Sequence, residues 1–231
     1  MESQLHQEIN RLEHEIMKMF AMTEEALEAS VQALLERNDE LAQKVIDGDD
    51  AVNQLEVGIE ELILHIVARW QPVAKDLRFI LGCSKVANEL ERLGDQATNI
   101  AERALMLNQR PKLKMMGTVR SLSEVVLDMY RKSITAFSSL DCDTAAEVCR
   151  QDNRADVLNV KIIRELIDYM GVDNRIIERP VHTIIVSNSL ERVGDLSTNI
   201  AEEVFFIIQG INVKHSTWFD SPDQNRPCPP E

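Results

Sequence analysis

The chain is 231 residues long, carries a formal net charge of −14, and is 44% hydrophobic but only 4% aromatic. Such a length buries a sizeable core, either as one domain or as two small ones. The acidic excess repels phosphate backbones and anionic headgroups, which argues against nucleic-acid binding and direct membrane-surface binding and favours cations or a basic partner.

With 8 Gly, 7 Pro and many Ala, Leu, Glu and Ile, the composition predicts an all-α protein. The first ten residues, MESQLHQEIN, have neither a basic start nor an apolar run, so no export signal is expected. Helix one is predicted from about Ser3 to Arg37. Asn38 and Asp39 cap helix two, which runs to about Arg69. Pro72 is expected in the first turn of helix three. That helix reaches about Asn108 and is broken by Arg110-Pro111. Helix four ends near Leu140, Asp141 caps helix five, and Gly171 closes it. Asp173 or Asn174 is expected to start helix six, which fades after Gly210, and Pro180 inside its pattern imposes a late start or a kink. From Ser221 onward the segment SPDQNRPCPPE is expected to be disordered. Helices of ~30 residues are ~45 Å long, which suits elongated antiparallel bundles. No apolar stretch nears the roughly 18 residues of a spanning helix, so no membrane insertion is expected. Cys83, Cys142, Cys149 and Cys228 show no CxxC pairing and read as reduced thiols in the cytoplasm, with Cys83 a core residue.

Two segments repeat. Residues 88–102 read NELERLGDQATNIAE and residues 188–202 read NSLERVGDLSTNIAE, 100 positions apart (Glu91 against Glu191). Upstream, residues 38–61 match residues 141–164 at 103 positions (Asp49 against Asp152, Asn53 against Asp156). The chain therefore reads as two copies of one three-helix unit, 1–110 and 111–212, followed by a polar tail over 213–231. Each unit is long enough to hold its own core.

The repeats carry acidic chemistry. Glu91 and Asp95 stand four apart on one helical face, and Thr98, Asn99 and Glu102 continue it. The second copy has Glu191, Asp195, Asn199 and Glu202. Helix two offers Asp49 and Asn53, and helix five Asp152 and Asp156, at the same spacing. Laid antiparallel, each two pairs converge. Carboxylates and amides are the ligands of divalent or trivalent metal ions such as iron, manganese, magnesium or zinc. One lone ExxxD is an ordinary solvated face, but two register-matched copies point to metal sites. Asn53 in place of Asp156 predicts a less charged, weaker first site. Gly48, Gly94 and Gly194, each before a carboxylate, are expected to admit a close neighbour. Arg92 and Arg192 read as salt bridges to neighbouring helices rather than phosphate contacts. The five His share no spacing, and none has Glu three residues before it, so the Glu-x-x-His pair of ferritin-type oxidases is missing. There is also no glycine-rich phosphate loop and no nucleophile elbow. A non-enzyme is expected; the alternatives are a metal-dependent hydrolase or oxidase built on the acidic clusters, or a purely structural helical adapter.

GDDAVNQLE (48–56), RWQPVAKDLR (69–78), LERLGDQATNIAE (90–102), DNRADVLN (152–159) and LERVGDLSTNIAEEVFFIIQG (190–210) stand in that order. From about Met17 to Gly210 the chain resembles the PhoU family, accessory and regulatory proteins of bacterial phosphate-specific transport. The resemblance implies two three-helix bundles related by pseudo-two-fold symmetry. It implies metal clusters on Glu91/Asp95 with Asp49/Asn53 and on Glu191/Asp195 with Asp152/Asp156; Asn99, Asn199, Glu102 and Glu202 are candidate further ligands. It implies two partners, the ATPase subunit of a phosphate ABC transporter and a sensor histidine kinase, and restraint of uptake and of the starvation response when phosphate is plentiful. A homodimer is expected. The second repeat has IIERPVH where the first has PVAKDLR, so a partner contact made by Asp76 or Arg78 has no second copy.

Overall fold

The helix boundaries follow from the caps. In the computed structural model, which describes residues 2–113, 115–172 and 177–213, the elements are α1 (Glu2–Glu36), α2 (Asp39–Trp70), α3 (Ala74–Asn108), α4 (Met116–Ser139), α5 (Cys142–Val172) and α6 (Glu178–Gln209). Asn38 Oδ1 accepts from the Leu41 N–H at 3.0 Å. Asp141 takes the same role for α5, accepting from the Thr144 hydroxyl at 2.6 Å and the Asp143 N–H at 3.0 Å. Those donors, Thr144 first, hold its carboxyl below the usual range.

Two starts differ from expectation. Pro72 lies before α3 rather than in its first turn, because Gln71 ends α2 in a left-handed conformation (φ 47°) and extended Val73 starts α3. α6 takes the late start: Ile177 precedes it and Pro180 falls in its first turn, where the missing N–H is not needed. Asp173, Asn174, Cys228 and the tail from 214 lie outside the described residues. Val213, expected in the tail, is buried.

The helices form two three-helix bundles, α1–α3 and α4–α6, related by a pseudo-two-fold axis, with no strand among the described residues. α3 and α6 run antiparallel against each other and join them. Lys85 pairs with Glu203 at 2.9 Å, Glu89 with Asn199 at 3.2 Å, and Arg78 with the Ile207 carbonyl at 3.4 Å, so numbers rise along one helix as they fall along the other. α1 also touches α4, through the buried Thr23 and Tyr130 hydroxyls and the Phe20 and Phe137 rings 5.4 Å apart. One continuous apolar core results; the two units share it instead of holding one each.

This seam also shows where glycine is required. A Cβ on Gly82 would sit 2.4 Å from Ile207 Cγ1, so α6 approaches α3 only over a bare backbone. The expectation placed that need elsewhere. A Cβ on Gly94 or Gly194 would meet neighbours at ordinary contact distance, 3.4 and 3.6 Å, and one on Gly48 would meet nothing within 4 Å.

Candidate metal centres

α5 and α6 lie side by side, so the i, i+4 pairs of the second repeat converge. One oxygen each of Asp156, Glu191 and Asp195 lies within 4.8 Å of the others, the one such group among the described residues. Burial, then the Asp195 and Asp156 charges, push Asp152 up to about 6, against the pull of the Thr198 hydroxyl. Burial and the facing carboxylates also raise Glu191 and Asp195, while Arg192 opposes both shifts. Asp152 Oδ1 and Thr198 Oγ1 are buried close to each other, with no well-formed hydrogen bond to satisfy either. Crowded anions beside a buried, poorly satisfied carboxylate oxygen are unfavourable alone and are what a multivalent cation satisfies, so the donor set fits a metal.

The first repeat is built alike but is partly satisfied by protein. Asp49 accepts from Asn53 Nδ2 and from the Thr98 hydroxyl, each at 3.1 Å. Asn53 Oδ1 stays buried and unpartnered. Glu91 is raised by burial, then by Asp95, Glu56 and Asp49; Asp95 is raised by burial and Asp49. Glu56 was not among the expected ligands. It stands seven residues after Asp49, on the continuation of the same face, which is the sequence signal that marks it. Its counterpart 103 residues on is Asn159, buried and committed to the Ser187 hydroxyl at 2.5 Å. Three carboxylates meet closely at the second centre, with Asp152 beside them, while at the first Glu56 adds a further negative charge near Glu91.

The further candidates separate. Asn99 is exposed, and Glu102 pairs with Arg103 at 3.0 Å. Asn199 donates to the buried Glu89 of α3. Glu202 lies beside Cys149, whose thiol is raised by burial and then by Glu202 and Asp152. Asp76 sits half-buried in the first turn of α3, where an acid suits the helix dipole. Arg78 has an internal role, its Nε donating to the Ile207 carbonyl at the C-terminal end of α6.

Two cavities adjoin the centres. One of about 250 Å³ lies over α6 and is lined by Arg92, Arg192, Asp152, Asp195, Thr198 and Asn199 among others. The other, about 240 Å³ and largely apolar, opens beside Asp49 between α1, α2 and α3 and includes Ala26 and Gly94. The second repeat has Met129 at the position equivalent to Ala26, and its Cε packs 3.6 Å from where a Gly194 Cβ would stand. No described helix is long and apolar enough to cross a membrane.

The family model described as the PhoU domain matches residues 16–104 and 119–204, one match inside each repeat. The chain is 38% identical over 211 residues to the phosphate-specific transport system accessory protein PhoU homolog of Aquifex aeolicus, covering 91% of this chain and 96% of that one. It is 33% identical over 212 residues to the Escherichia coli PhoU accessory protein, covering 92% and 88%. The crystal structure of PhoU from Pseudomonas aeruginosa superposes with a TM-score of 0.87 at 35% identity, covering 89% of this chain and 99% of that one.

Proposed function

The chain belongs to the PhoU family, and from that premise we propose that it is a non-enzymatic accessory regulator of phosphate transport, restraining uptake and the starvation response when phosphate is plentiful. The supporting observation is the match along 91% of the chain to a protein named for that accessory role. In this reading the chain works in the cytoplasm as a homodimer, an adapter between the transporter's ATPase subunit and a sensor histidine kinase. A deletion strain carrying a reporter for a phosphate-scavenging gene tests it. The reporter should be on at high phosphate and silenced again by the wild-type gene; a reporter that stays silent in the deletion strain overturns the reading.

We further propose that both acidic centres hold divalent or trivalent metal. Asp152 and Asp156 from α5, with Glu191 and Asp195 from α6, would hold one; Asp49, Asn53, Glu91 and Asp95, with Glu56 as a further candidate, would hold the other. A bound cation supplies charge neutralisation and a cross-link between two helices that otherwise repel there. Metal quantification on wild type and on the Glu191→Ala/Asp195→Ala double variant tests it. The expected result is loss of the second centre's share; a wild-type protein that carries no metal after reconstitution overturns it.

A further inference from the structure

We infer that the cavity over α6 is an oxyanion subsite of the second centre, taking inorganic phosphate between the metal and two guanidinium groups. This rests on the metal reading above. The cavity shares Asp152 and Asp195 with that centre, and its remaining polar lining is Arg92, Arg192, Thr198 and Asn199. Arg192, Asp195, Leu196 and Asn199 fall at i, i+3, i+4 and i+7 on one face of α6, so three polar groups line up beneath the space. Arg92 comes from the other repeat, across the α3–α6 seam. It is close enough to lower Asp195.

The two arginines are not placed as ion pairs between neighbouring helices. Arg92 uses one nitrogen on Glu89 of its own helix at 2.8 Å, which leaves most of its donor fork free. Arg192 makes no hydrogen bond or ion pair with any described residue. It is exposed and lines the cavity. Cations beside an acidic centre serve the carboxylates poorly as ligands, since they compete with the metal. They do suit a polyatomic anion that is itself bound to the metal. Guanidinium forks match the oxygens of a tetrahedral phosphate, and the Asn199 amide and Thr198 hydroxyl add neutral donors. The seam decides the specificity of place. The first centre has Arg92 beside it as well, but the described cavity with two arginines lies at the second. Without metal, Asp152, Asp156, Glu191 and Asp195 would repel an anion, so metal must load first.

The test uses the full chain, reconstituted with manganese and followed by titration calorimetry in two stages. Manganese alone is titrated into wild type, Arg192→Gln, Arg92→Gln and Lys161→Gln. Inorganic phosphate is then titrated into each loaded protein, with sulfate and phenyl phosphate as parallel arms. Arg192 is exposed and makes no hydrogen bond with a described residue, so its variant should still fold cooperatively even where Arg92→Gln does not. The expected result is that phosphate binds loaded wild type and Lys161→Gln alike, weakens at least about tenfold in Arg192→Gln, and binds metal-free protein much more weakly. Manganese affinity in Arg192→Gln should be unchanged or tighter. A response only to phenyl phosphate would overturn free phosphate as the ligand. Equal phosphate affinity in Arg192→Gln, or no phosphate binding to loaded wild type, overturns the subsite while the metal reading stands. Absence of manganese uptake overturns both.

Discussion

Asp152 shows how one residue carries the chemistry of its site. Its ordinary value is 3.8, and burial with two facing carboxylates pushes it to about 6. An acid raised in the folded state binds its proton there before the unfolded chain does, so it destabilises the fold at neutral pH and gives stability back as pH falls from about 7 towards 4. Glu56, Glu91, Asp95, Glu191 and Asp195 are raised too and act in the same direction; the lowered, half-buried Asp141 acts oppositely, at lower pH. One pKa unit is about 1.4 kcal/mol, so Asp152 contributes at most about 3 kcal/mol before solvent on its open side screens it. Urea midpoints of chelated protein should therefore be higher at pH 5.5 than at 7.5. With metal bound the trend should reverse, because protons compete for the same oxygens. A chelated protein that weakens steadily over this range would contradict the raised values. The glycines make a second residue-level prediction. Gly82→Ala should cost about 1–3 kcal/mol, since its methyl meets the buried Ile207 side chain. Gly48→Ala meets nothing and should gain up to about 1 kcal/mol. Denaturant titration of the two variants checks both signs.

At the scale of elements, each centre depends on two helices keeping register. α2 and α3 bring Asp49, Glu56, Glu91 and Asp95 together; α5 and α6 do the same for Asp152, Asp156, Glu191 and Asp195. Affinity for a hard cation rises with the number of charged ligands. Glu56→Gln should therefore weaken metal uptake at the first centre about as much as Asp156→Asn weakens it at the second, by roughly tenfold. Equilibrium dialysis at graded chelator concentration separates the two. Unchanged uptake in Glu56→Gln would remove that residue from the site. The repeats also differ in how their first helices fill space. Ala26 leaves a cleft over α2 and α3 where Met129 fills the equivalent volume in the other bundle. Ala26→Met should raise stability by about 0.5–2 kcal/mol by covering that apolar surface; a lower melting point would show that the cleft is not free to be filled.

At the scale of the molecule, the shared core predicts cooperativity. Ile207 on Gly82, Lys85 on Glu203 and the Thr23–Tyr130 contact all cross between the bundles. Calorimetry of the full chain should show one transition, and residues 1–110 alone should associate or stay unfolded because the α6-facing side of α3 loses its cover. Two separate transitions, or a stable monomeric half, would contradict this. The sequence by itself determined six helices, the caps at Asn38 and Asp141, the duplication, and the pairing of Asp49 with Glu91/Asp95 and of Asp152 with Glu191/Asp195. These are local or periodic properties: a cap is read from one residue type at a boundary, and a shared face from spacing of 3.6 residues per turn. The tertiary structure alone decided which glycine is sterically required, that Glu56 stands near Glu91, that Asn199 and Arg78 face the other repeat, and that Arg92 reaches Asp195. Each depends on the distance between chain segments that are far apart in sequence, and the crossing of α3 on α6 that sets those distances comes from packing the whole core at once.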